Sequence, residues 1–179
     1  MILKLIRESV YNVGFKLEVK ISKYFNRIND EINKGKISKY SFGKKNPRKK
    51  FYVIKISPGG GFFSNLLYIL LNLEIADKKK FVPIVDMQNF PTSYNQNKNM
   101  NNVKNLWELY FEKVSNYSLN EVYNSRNVYF SPSRFKFFLD DYKKKKLKKV
   151  FDKYIKPRKK ILNQVNNFTK KNFKNKIML

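Results

Sequence analysis

Three consecutive glycines, Gly59, Gly60 and Gly61, are followed by Phe62, Phe63 and Ser64 and stand between two apolar runs. Without Cβ atoms the turn can adopt positive φ, and its backbone N–H groups can approach a ligand closely. An apolar helix pattern begins directly after it, so unpaired N–H groups and the positive end of the helix dipole face the same point. A turn of this kind suits a phosphate or a sugar diphosphate. The second chemical candidate is Asp86, at the carboxyl end of the next apolar run, the edge where ligands of open α/β sheets bind. A carboxylate there could hold a ribose or sugar hydroxyl, or could close a turn through its own side chain.

The elements that must position these residues are legible in the apolar pattern. Phe51 to Ile56 is continuous apart from Lys55, as expected of a strand buried on both faces of a parallel sheet. The pattern predicts a helix over about Ser64 to Asp77, apolar on nearly every side, and a second parallel strand at Phe81 to Val85. A right-handed crossover is expected between the strands. Next, Met87 to Asn102 forms an Asn-rich loop containing Pro91 and Tyr94. Ser118 and Glu121 have the spacing of a capping box, with Tyr117 and Val122 as its staple, which assigns Glu121 a structural role. A third strand is expected at Asn127 to Ser131. Phe135 to Ile155 reads as a basic helix broken by Pro157, and Arg158 to Phe173 as a final helix.

Upstream, apolar residues at Leu3, Ile6, Val10, Val13, Leu17, Ile21, Tyr24, Ile28 and Ile32 predict a long amphipathic helix over residues 1–34. Its lysines and arginines would allow peripheral contact with an anionic membrane, although such a stripe more commonly faces a core or a partner. Residues 35–50, with Gly35, Gly43, Pro47 and a cluster of lysines, read as a basic linker, leaving 51–179 as the α/β domain. The whole predicts an α/β fold: a Rossmann-like βαβ layer with parallel strands, a preceding amphipathic helix and a C-terminal helix pair.

Composition excludes several chemistries. The 179 residues contain no His and no Cys, so histidine bases, cysteine nucleophiles, Cys/His zinc sites and disulfides are ruled out. No Asp-x-Asp metal motif is present, and the adjacent pair Asp140 and Asp141 sits among lysines that solvate it. The sequence assigns no residue to catalysis. Lys plus Arg number 39 against 13 Asp plus Glu, a net charge of +26. That charge would attract nucleic acid or an anionic membrane surface without sequence preference, and a non-enzymatic basic binding module is the alternative reading. Against nucleic acid, the excess is mostly Lys and accompanies abundant Asn, Ile, Phe and Tyr, the pattern of A·T-rich codons, and no nucleic-acid-binding motif is found. A dinucleotide fingerprint fits poorly: Phe62 and Phe63 crowd the turn and Ser64 stands at the third glycine position. Asp86 does lie 25 residues beyond Gly61, near the ~20 expected of a ribose-binding acid.

The strand followed by Gly60-Gly61-Phe62-Phe63-Ser64-Asn65 and an apolar helix resembles the start of the fucosyltransferase-like glycosyltransferases, whose first strand ends in a Gly-Gly-Arg-Phe-Gly-Asn-like turn. Phe63 matches the family aromatic and Asn65 the asparagine, whereas Phe62 replaces the arginine and Ser64 the later glycine. Val85 to Val128 also looks like sugar transferases of bacterial surface-polysaccharide clusters, and the resemblance extends over about Phe51 to Lys176. It implies a GT-B-like enzyme using a nucleotide-sugar, a GDP-sugar by this comparison, with no other cofactor. Gly59, Gly60, Gly61, Ser64 and Asn65 would approach the donor phosphates, while Asp86 and Tyr94 would meet a glycan acceptor. In such enzymes a second domain, opening with a His-x-Arg-Gly-Asp-like motif, holds most of the donor site. No such motif occurs before Leu179, so the resemblance further implies an acceptor-side half, inactive alone. A cytoplasmic location, peripheral at the inner face of the membrane, goes with that activity.

Overall fold

The computed structural model describes residues 37–56, 61–90, 104–132 and 140–173. The amphipathic pattern of residues 1–34, Gly59, Gly60 and Tyr94 lie outside the described residues. A four-stranded mixed sheet forms the centre, built from β1 (Ser38–Tyr40), β2 (Phe51–Lys55), β3 (Val82–Asp86) and β4 (Val128–Phe130) in the order β1-β4-β2-β3. β2 pairs in parallel with both β3 and β4, while β1 runs antiparallel to β4. The expected parallel pairing of the two apolar runs holds from Phe51↔Val82 to Lys55↔Asp86. Pro83 is tolerated because β3 is an edge strand, where a missing N–H breaks no ladder.

Alternation along the strands divides the core into two layers. On one face Tyr52, Ile54, Ile56 and Val85 pack against helix α1 (Phe62–Lys79) and against Leu147 and Val150 of helix α4 (Asp141–Tyr154). On the other, Phe51, Val53, Ile84, Val128 and Phe130 meet Phe42, Phe90, Val122 and Tyr123. Polar contacts set how α1 lies on its face. Tyr52 donates to Asn72 Oδ1 at 2.7 Å, Asn72 Nδ2 donates to the Tyr68 carbonyl at 2.9 Å, and Tyr68 donates to Ser131 Oγ at 3.2 Å. Burial raises the Tyr52 and Tyr68 hydroxyl pKa values, so both remain protonated donors. Glu74 of α1, almost fully buried, pairs with Lys78, Lys143 and Lys146 and ties α1 to α4.

Three elements depart from expectation. Residues 35–50 are not only linker: Ser38–Tyr40 pairs with β4, and Phe42 and Gly43 donate to the Ser125 carbonyl at 3.1 and 3.2 Å. A run of lysines hides this strand from composition, because only Ser38, Tyr40 and Phe42 carry its pattern. The helix expected from Phe135 is capped by Asp140, whose extended backbone and side-chain bond from the Lys143 N–H, 2.6 Å, mark its start at Asp141. That cap gives Asp140 a structural role. Finally, α1 ends at Lys80 in the left-handed conformation, φ 53°, with Phe81 N–H bonding the Ala76 carbonyl at 2.9 Å and Lys80 N–H that of Asp77 at 3.2 Å. The capping box is present as expected at α3 (Leu119–Val122): Ser118 Oγ accepts from Glu121 N–H at 3.2 Å, and Glu121 Oε2 accepts from Ser118 N–H at 2.9 Å. The expected last helix is present as α5 (Lys159–Asn172), with Arg158 as its N-cap and Phe173 as its C-cap. Among the described residues no helix is long and apolar enough to cross a membrane.

Candidate functional site

At the carboxyl edge of the parallel strands, α1 begins beside the short helix α2 (Trp107–Tyr110), and a cavity of about 350 Å³ opens between them. α1 contributes Phe62, Asn65, Leu66 and Ile69, spaced by three or four residues so that they share one face of the helix. Met87, just past β3, and Leu106, Trp107, Tyr110 and Phe111 complete the lining. Asn105 holds this second wall in place: its Nδ2 donates to the Val85 carbonyl at 2.9 Å, and its Oδ1 accepts from Met87 N–H at 3.1 Å. Trp107 stacks on Phe111 with ring centroids 4.5 Å apart, and its indole N–H donates to the Glu112 carbonyl at 3.0 Å. The walls are therefore mainly aromatic and aliphatic, with Asn65 and Tyr110 as the residues that carry hydrogen-bonding side chains. Apolar rings of this kind pack on the C–H face of a sugar or on another ring, and a few polar groups then fix orientation.

The expected site residues separate. Gly61 is the N-cap of α1, with φ −63° and ψ 166°, an ordinary extended backbone available to any residue. A Cβ there would meet nothing within 4 Å. Nothing within the described fold therefore demands a glycine at 61. The first turn of α1 has no acidic residue and no side-chain cap, leaving its positive end uncompensated by its own side chains. Ser64 is exposed, while Asn65 is buried and lines the cavity. Phe62 and Phe63 stand exposed beside it as a T-shaped pair, 5.3 Å between centroids. Among the described residues no lysine or arginine lines the cavity, and these walls suit a neutral ligand surface better than a diphosphate.

Asp86 turns away from the cavity. It shares its strand face with Ile84, opposite the face of Val85 that packs on α1. Oδ1 accepts from Gln88 and Asn89 N–H at 3.0 and 2.9 Å, and Oδ2 accepts from Asn89 Nδ2 at 2.8 Å and Tyr123 Oη at 2.6 Å. The residue is 0% exposed. Burial pushes its carboxyl pKa up while these four bonds pull it down, and burial with the neighbouring Asp86 drives the Tyr123 hydroxyl well above its usual range. Asp86 thus closes the turn after β3, the structural alternative to holding a sugar hydroxyl.

Sequence reasoning missed the second wall. Leu106 to Phe111 reads LWELYF, and nothing in its spacing ties it to the start of α1. In the sequence Lys55 only interrupts an apolar run. It is buried at the end of β2, its ammonium 5.8 Å from the centre of the Phe90 ring, and burial lowers its pKa to about 8. Strand alternation puts Lys55 on the Phe51 and Val53 face, away from the cavity. Among the described residues no cluster of three or more carboxylates could hold a metal ion.

No protein-family model, no curated protein and no solved structure matches the chain.

Proposed function

We propose that the α/β domain is the acceptor-side portion of a nucleotide-sugar glycosyltransferase of fucosyltransferase-like type, and that the cavity beside Asn65 receives a sugar ring of the glycan acceptor. The observation that carries this reading is the aromatic lining at the carboxyl edge of the parallel strands, where open α/β folds bind ligands. The parallel β2-α1-β3 unit and the uncapped start of α1 support a Rossmann-like layer able to face a donor diphosphate. On this reading the domain contributes binding and orientation: Phe62 and Tyr110, the exposed aromatic residues of the lining, hold the sugar face, and the Asn65 amide and Tyr110 hydroxyl accept or donate to its hydroxyls. A GDP-sugar, fucose being one such sugar, would supply the transferred group, with the departing diphosphate stabilised by backbone dipoles and cationic groups. A cell-surface glycan, made at the inner face of the membrane, is the product class.

Trp107 is the single tryptophan of the chain and lines the cavity, so its emission reports occupancy. Titration with methyl β-galactoside and methyl N-acetyl-β-glucosaminide should give a saturable change in that emission for at least one probe. Tyr110→Ala, at a half-exposed position, should weaken the binding about tenfold while leaving the fold unchanged, as expected for a contact residue in a small ligand site. Flat titrations with both glycosides, or a response that survives Tyr110→Ala undiminished, would refute the reading.

A further inference from the structure

Helix α5 has no buried residue along its whole length. Its apolar side chains Leu162, Val165 and Phe168 are 46%, 55% and 61% exposed, and they recur every three residues to form one stripe. Phe173, at its C-cap, extends the stripe and contacts Phe168 edge to face at 6.0 Å. The helix, KKILNQVNNFTKKN, contains no acid. At 3.6 residues per turn, Lys159 and Lys170 stack along one shoulder of the stripe, and Lys160 and Lys171 along the other.

We propose that α5 is an interfacial anchor that lies on an anionic lipid bilayer, its stripe in the acyl boundary and its four lysines among the headgroups. Charge complementarity selects this occupant. A second copy of a chain with net charge +26 would be repelled from a helix carrying four lysines and no acid. Nucleic acid would match the lysines but leave Leu162, Val165 and Phe168 in water. An anionic bilayer satisfies both faces at once.

The anchor is joined firmly to the domain. Arg158 N–H donates to the Tyr110 carbonyl at 2.9 Å and Arg158 Nη1 to the Glu108 carbonyl at 2.8 Å, while Glu112 N–H donates to the Lys156 carbonyl at 2.8 Å. The start of α5 is thereby one hydrogen bond from the cavity wall. A docked α5 would hold the cavity near the bilayer surface, whatever ligand the cavity takes.

The test is flotation of the full chain with phosphatidylcholine vesicles, with and without phosphatidylglycerol. Binding should require the anionic lipid, and Val165→Asp combined with Phe168→Asp should lower it by at least ~10-fold, as expected when charge replaces the buried face of an interfacial helix. Replacing Lys159, Lys160, Lys170 and Lys171 with Gln should lower it as well and flatten its dependence on salt. Unchanged thermal stability of the Val165→Asp, Phe168→Asp chain without lipid would support a free stripe. Several results would overturn the anchor. These are equal binding by the double variant, no preference for phosphatidylglycerol, tighter capture by DNA than by vesicles, or a lipid-independent loss of stability or self-association in the double variant.

Discussion

Glu74 offers the sharpest check on how the two helical layers are held. Its side chain is nearly buried beneath α4, with Oε1 2.9 Å from Lys78 Nζ and 3.4 Å from Lys146 Nζ, and with Lys143 paired to Oε2. Burial alone would raise its pKa, but the lysines outweigh it and bring the carboxyl from 4.5 to about 2. At about 1.4 kcal/mol per decade this corresponds to roughly 3 kcal/mol, reduced toward about 2 by the water around Lys78 and Lys146. The sign follows from a lowered carboxylate pKa. The stabilisation is complete above the unfolded value, near 4.5, and is lost as pH falls from there toward about 2. Glu74→Gln keeps the shape and removes the charge. Urea unfolding, which leaves ion pairs unscreened, should show the variant less stable by about 2 to 3 kcal/mol near neutral pH. By about pH 3 the gap should have shrunk by half or more. A gap that stays constant over this range would mean that packing, not charge, joins α1 to α4. No gap at neutral pH would mean that the ion pairs only offset the desolvation of Glu74.

Two glycines should behave oppositely. Gly43→Ala would set a Cβ 2.3 Å from the Asn124 carbonyl oxygen and should cost more than about 2 kcal/mol, whereas Gly61→Ala meets open space and should change urea stability by less than ~0.5 kcal/mol. Lys80→Gly should raise stability by about 1 kcal/mol, read as an upward shift of the melting temperature, because Lys80 holds φ 53° at the end of α1. A decrease would mean that the Lys80 side chain contributes more than its backbone strain. Burial lowers the Lys55 ammonium from 10.5 to about 8, so the unfolded chain keeps its proton to higher pH than the folded one. Stability should therefore rise by about 1 kcal/mol between about pH 7 and 9, and Lys55→Met should abolish that rise. Parallel pH profiles of the two chains would contradict the burial of this amine.

Local patterns were enough to define β2, α1 and β3, because their apolar runs exceed any surface requirement and three consecutive glycines interrupt the sequence between the first two. The capping box at Ser118 and Glu121 was likewise legible, since its partners lie three residues apart and need no tertiary contact. Tertiary structure decided the rest. The sequence placed Asp86 at the ligand edge, but only Tyr123, 37 residues later, and the turn at Asn89 show that its carboxylate points inward and is satisfied. The glycine that packing requires is Gly43, because the Asn124 backbone passes over it, and not Gly61, which faces open space. The cavity arises where Asn65 of α1 meets Trp107 of α2, a pairing set by Asn105 bonding the end of β3. Hydrophobic periodicity reports which residues leave water. Which of them meet depends on contacts between distant segments, and no local spacing encodes those.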